Sequence, residues 1–150
     1  MTVASPTPGQ GRPPQELDRQ VLGTPKYMPP EQADGRVAAV GTLSDVNSLG
    51  AILYCILTGR PPFQSSSPFE TLMQVIKEPP ITPRRLIPSL PSDLETICLK
   101  AIEKSPAKRY ASAAEMREGL NRYLAGEPIL ARIKSLAAPT IRQSSEFNYT

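Results

Sequence analysis

Few residues of this 150-residue chain could do chemistry, and their types exclude most reactions. There is no His, so a Cys/His zinc site is excluded. Cys55 and Cys98 make no metal spacing. Both fall inside apolar helical patterns and read as buried reduced thiols of a cytosolic protein rather than as a disulfide. Phosphoryl transfer needs a Lys on the phosphates, an Asp near the acceptor hydroxyl, and an Asp with an Asn for magnesium. The Asp residues are Asp18, Asp34, Asp45 and Asp93, and none precedes Phe-Gly. Gly9-Gln10-Gly11 hints at a phosphate loop. Pro14 stands where the third Gly belongs and no strand precedes it, so a flexible turn is the better reading. No nucleophile elbow, P-loop or metal cluster is present. What stands out is Gly23-Thr24-Pro25-Lys26-Tyr27-Met28-Pro29-Pro30-Glu31, with a hydroxyl, a phenol and a carboxylate in one Pro-rich segment.

The elements that must position this segment are helices. Apolar residues make up 39% and aromatics 5%, enough for one domain with a modest core. The 18 Pro residues force loops and helix starts. Ser67-Pro68-Phe69-Glu70, Ser92-Asp93-Leu94-Glu95 and Ser112-Ala113-Ala114-Glu115 each fit a capping box. Apolar stripes follow: Leu72, Val75 and Ile76; Leu94, Ile97, Cys98, Ala101 and Ile102; and Met116, Leu120, Tyr123 and Leu124, with Gly126 as a stop. A fourth helix is expected from Ser44 or Asp45 to Thr58, closed by Gly59. Leu49 to Leu57 is apolar on every face, which predicts burial on all sides and a central place. A buried strand is the rival, but a span of about 14 residues with a Ser/Asp start favours helix. Residues 1–20 read as a flexible Pro/Gly-rich leader and residues 134–150 as a disordered tail. The net charge of +3 carries no basic stripe with interleaved aromatics, so nucleic acid is not a predicted partner. The apolar run Leu49–Leu57 is half of the about 20 residues a membrane span needs.

The order of these motifs resembles the C-terminal lobe of eukaryotic-like serine/threonine protein kinases of bacteria. Gly23–Glu31 is similar to the family's substrate-docking segment and Ala-Pro-Glu motif, with Pro29 in place of Ala. Ser44-Asp45-Val46-Asn47-Ser48-Leu49-Gly50 and Leu57-Thr58-Gly59-Arg60-Pro61-Pro62-Phe63 resemble the central helix and its signatures, with Asn47 where an aromatic is common. Glu103-Lys104-Ser105-Pro106-Ala107-Lys108-Arg109-Tyr110 resembles the Pro-x-x-Arg loop, and Tyr123-Leu124-Ala125-Gly126-Glu127-Pro128-Ile129 the close of the domain. The likeness covers residues 21–133.

The resemblance implies roles residue by residue. Glu31 pairs with Arg109 as a structural ion pair. Gly23, Thr24, Pro25 and Tyr27 shape a pocket for the substrate residue after the phosphoacceptor. Asp45 either anchors the backbone of the catalytic loop or serves as an ordinary first-turn acid. The implied fold is all-α, a central buried helix with three to four helices around it and no N-terminal β lobe. The implied activity is ATP-dependent phosphorylation of protein Ser/Thr, with ATP and magnesium as the intact family's cofactors. Only residues 1–22 precede the docking segment, and no residue is assigned as catalytic or metal-binding. The expectation is therefore a truncated, cytoplasmic kinase fragment that is inactive alone. A pseudokinase-like binding module and a non-functional gene relic are the alternatives. Expected partners are a protein substrate, the missing kinase half, or a second copy. The last would act through Leu49, Ile52, Leu53, Ile56 and Leu57, several of which become exposed when the preceding part of the lobe is missing.

Overall fold

The computed structural model describes residues 25–131. The leader, Gly23, Thr24 and the tail lie outside them. Among the described residues there are six α-helices and no strand: α1 (Pro30–Ala33), α2 (Thr42–Thr58), α3 (Pro68–Lys77), α4 (Pro83–Leu86), α5 (Ser92–Ala101) and α6 (Ala113–Leu124). Short 3-10 turns span Pro25–Tyr27, Val37–Ala39 and Pro106–Lys108. The fold is the all-α, kinase-like lobe that the motif order implies. Helix α2 is its centre, touching α4, α5, α6 and the Pro25–Tyr27 turn.

Local sequence explains most boundaries. Ser67 accepts from the Glu70 N–H at 3.2 Å and Ser112 from the Glu115 N–H at 3.1 Å, so both cap their helices. Neither Glu reaches back to its own cap. Glu70 instead accepts from the Ser65 and Ser66 hydroxyls, and Glu115 accepts from the Ala111 N–H. The third expected cap is corrected. Ser92 is the first helical residue behind Pro91, and it caps nothing with its side chain. Its intended partner, Glu95, binds the Arg84 N–H at 2.7 Å and ties α5 to α4. Gly59, at φ 78°, closes α2 in the left-handed conformation that glycine adopts without strain.

Helix α2 begins at Thr42, one turn's fraction earlier than Ser44, because the Gly41 carbonyl already accepts from the Ser44 and Asp45 N–H groups. Its burial also differs from the expectation. Val46, Ala51 and Tyr54 are in the core, but Leu49, Ile52 and Ile56 are 43%, 49% and 74% exposed. Spacings of three and four residues put these three on one helix face. No described element packs over that face, so the all-round apolar sequence gives a one-sided burial. Leu124 also departs from its stripe and is exposed, because the chain turns at Gly126 and returns Ile129 to the core instead.

Helices α2 and α5 approach each other closely in the core. A Cβ on Gly50 would lie 2.6 Å from the Ala101 Cβ and 2.7 Å from the Ile102 Cγ2. Only the absence of a side chain lets the two helices meet there, and the Cys98 thiol then reaches the Gly50 carbonyl at 3.6 Å. Gly50→Ala is therefore expected to destabilise by about 1–3 kcal/mol through overpacking, despite Ala's better helix propensity. Urea unfolding checks this, and adding Ala101→Gly should recover part of the loss. An unchanged midpoint would mean the helices can part without cost.

Candidate functional site

The segment Pro25–Glu31 is held against α2 at both ends. At its start, the Pro25–Tyr27 turn lies on the helix. Ser48 donates to the Tyr27 carbonyl at 3.4 Å, and the Tyr27 hydroxyl reaches the Cys55 sulfur at 3.7 Å. At its end, Pro29 and Pro30 start α1, where a missing N–H costs nothing. That short helix delivers Glu31 into the interior with no exposure.

Glu31 meets Arg109 across 78 residues of sequence. One guanidinium nitrogen donates to Oε1 at 2.8 Å and the other to Oε2 at 2.9 Å. This fork-to-fork pairing is the geometry Arg supports and Lys does not. The remaining donors are also used. Arg109 Nε–H binds the Glu103 carbonyl at 2.7 Å, and the terminal nitrogens bind the carbonyls of Leu43 and Lys104 at 2.9 and 3.2 Å. All five N–H groups of a guanidinium thus have acceptors. The Ser44 hydroxyl adds a third donor to the carboxylate, 2.7 Å from Oε1, while accepting from the Gly41 N–H. Burial alone would raise the Glu31 pKa. The bonds from Arg109 and Ser44 outweigh it and hold the carboxyl down at about 2.

Lys104 extends the network. Its ammonium caps the C-terminal carbonyls of α3 at Gln74 and Val75 and lies 3.9 Å over the Phe63 ring. Those contacts match the negative end of a helix to a cation and a ring face to the same cation. Burial lowers its pKa to about 8, with Glu78 opposing and Arg109 adding to the shift.

Of the site residues read from sequence, the structure joins Glu31 to Arg109 and places Pro25 and Tyr27 in the turn beside α2. Gly23 and Thr24 lie outside the described residues. Asp45 is exposed in the first turn of α2, where its backbone N–H bonds the Gly41 carbonyl. That position suits a first-turn acid. Sequence reasoning missed Ser44 and Lys104. Ser44 adjoins Asp45 and Lys104 stands five residues before Arg109, both inside motifs already singled out. Among the described residues no three acidic, Cys or His side chains gather where a metal could bind.

Comparison with known proteins extends this picture. The family model described as protein kinase domain matches residues 9–120. The chain is 47% identical over 108 residues to the serine/threonine-protein kinase PknB of Mycobacterium tuberculosis, covering 72% of this chain and 17% of that protein. It is 45% identical over 107 residues to PknB of Mycolicibacterium smegmatis, covering 71% and 17%. It is 41% identical over 109 residues to a probable serine/threonine-protein kinase of Streptomyces coelicolor, covering 73% and 16%. The chain therefore spans about a sixth of the length of these relatives.

Removing one partner of a buried ion pair leaves the other charge uncompensated. Glu31→Ala is expected to lower stability at neutral pH by about 3–5 kcal/mol. Because the folded carboxyl titrates at about 2, against an ordinary 4.5, the pair's contribution is full above pH 4.5 and falls away as pH drops toward 2. Urea unfolding of the chain and of Glu31→Gln across this range measures both effects. The variant should lose the acid slope, and equal stability of Glu31→Ala would show that the pair contributes nothing.

Proposed function

Because this chain belongs to the protein kinase domain family, we propose that it supplies the substrate-docking part of a serine/threonine protein kinase, namely its C-terminal lobe. The observation that carries this reading is the seating of the Pro25–Tyr27 turn, fixed on one side by α2 and on the other by the fully bonded Glu31–Arg109 pair. A segment held that rigidly can present its outer edge to an extended peptide without spending binding energy on its own ordering. Tyr27 and the preceding Gly23 and Thr24 would shape the pocket for the residue after the phosphoacceptor.

The residues of this chain do not fit ATP with magnesium. The sequence offers no His-Arg-Asp loop and no Asp before Phe-Gly. Asp45, the acid of the central helix, stands in its first turn, and no group of three acidic, Cys or His side chains gathers among the described residues. In this proposal, phosphate transfer from ATP is the activity of an intact kinase, and the 150 residues alone do not perform it. The partner is a protein substrate, and the compartment is the cytoplasm, consistent with the two free thiols at Cys55 and Cys98. No helix among the described residues is long and apolar enough to cross a membrane.

A second reading is favoured by one observation, the exposed stripe Leu49, Ile52 and Ile56 on the central helix. An apolar face of this kind suits a protein-binding module that takes up the remainder of a kinase domain, or a second copy when that is lacking.

Two measurements test these readings. Purified chain given radiolabelled ATP, magnesium and a generic protein substrate is expected to transfer no phosphate. Incorporation above a no-enzyme control would overturn the claim of inactivity. In sedimentation velocity, the chain is expected to self-associate, and a Leu49→Gln, Ile52→Gln, Ile56→Gln variant to run as a monomer. A clean monomer for the unmodified chain would remove the second reading.

A further inference from the structure

A cavity of about 80 Å³ lies between α5, α6 and the segment at Ile129 that closes the fold, away from the docking turn. It is several times the space that one water needs, ~10–15 Å³. Two hydrogen-bond donors on its wall are buried and without an acceptor: the Tyr110 hydroxyl and the Arg122 Nε–H. Tyr110 as a residue is only 5% exposed. Its hydroxyl owes its room to Gly119, where a Cβ would stand 3.3 Å away. Burial, and then Glu115, push this phenol up to about 12, so it keeps its proton at neutral pH. A buried polar group without a partner costs about 1–3 kcal/mol, and two such groups facing one cavity call for the same missing acceptor.

The groups around the cavity bear on which acceptor. Lys100 holds its ammonium 4.9 Å from the Tyr110 ring centre and lines the space with Arg122. Two carboxylates also line it. Glu115 is engaged, since it accepts from the Ala111 N–H at 3.0 Å. Glu118 and Glu127 pair with Arg122 as ions at 3.6 Å, and the Glu118 oxygen stands beyond hydrogen-bond reach of the Nε–H. The Arg122 Nε–H can only donate and the Tyr110 hydroxyl can donate as well, so one acceptor would satisfy both, beside the cations Lys100 and Arg122. The remaining wall is apolar, formed by Ile129, Leu130 and Ala131. We propose that this cavity is a binding site for a small organic carboxylate with a short apolar stem. Its carboxylate would accept from Tyr110 and Arg122 with Lys100 nearby, and its stem would lie along Ile129 and Leu130.

The experiment is a titration of the full 150-residue chain with butyrate, butanol and butylamine, followed by amide chemical shifts at Gly119 and Ala131. Butyrate is expected to give saturable shifts there. Butanol, which keeps the stem and loses the charge, should bind about tenfold more weakly, and butylamine should not saturate. Tyr110→Phe and Arg122→Gln should each weaken butyrate by about tenfold, the usual worth of one hydrogen bond to a charged group. Arg122 is partly exposed and its ion pairs are long, so Arg122→Gln decides the matter if Tyr110→Phe does not fold. No saturable butyrate shift, equal or tighter binding of butanol or butylamine, or unchanged butyrate affinity in a folded variant would each overturn the proposal.

Discussion

The structure depends on one buried ion pair. Glu31 and Arg109 are both withdrawn from water, and two charges so placed are expensive unless every remaining lone pair and proton is used. Here the cost is met by completeness. Arg109 donates to Glu31, Leu43, Glu103 and Lys104, and Glu31 accepts from Arg109 and Ser44. Those partners belong to α1, the start of α2 and the loop after α5. A hydrophobic pair of equal volume could fill the same space, but it would not fix the angle at which these pieces meet. Directional bonds do that, and the Pro25–Tyr27 turn inherits its position from them.

Lys104 carries the same constraint one step further. Its backbone carbonyl takes a proton from Arg109, while its ammonium closes the end of α3. Helix α3, which packs against the Pro25–Tyr27 turn and α1, is therefore tied to the ion pair through this residue as well. This accounts for a lysine with lowered basicity. Its perturbed pKa follows from burial among carbonyls and the Phe63 ring, a structural use of a charge that in other settings would mark a reactive amine.

The sequence made the fold legible where local rules and burial agreed. The stripe Ile97, Cys98, Ala101 and Ile102 is buried as its spacing requires, and Ser67 and Ser112 cap as their positions suggest. It failed where a tertiary partner outbid a local one. Glu95 serves α4 instead of its own helix start, and Leu124 gives way to Ile129 after the turn at Gly126. Helix α2 misled in another way. Periodicity can say that all faces are apolar, but not whether something covers each of them. Of the site, the ends of the ion pair were readable because they lie in motifs with fixed residue types. The carbonyls of Leu43 and Glu103 were not, since backbone acceptors leave no mark on a sequence.

The two faces of α2 express one constraint seen from opposite sides. On the inner face Gly50 has no side chain, and α5 comes so close that a methyl group would collide. That contact, with Tyr54 bonded to the Ile81 carbonyl at 2.7 Å, fixes the helix in place. On the outer face Leu49, Ile52 and Ile56 have no such neighbour among the described residues. A helix anchored this firmly cannot roll to bury its outer stripe, because rolling would break the Gly50 contact and drag Ser44 off the ion pair. The exposed stripe is thus held outward by the same packing that positions the docking turn. Whatever covers it must come to the helix, since the helix cannot turn to meet it.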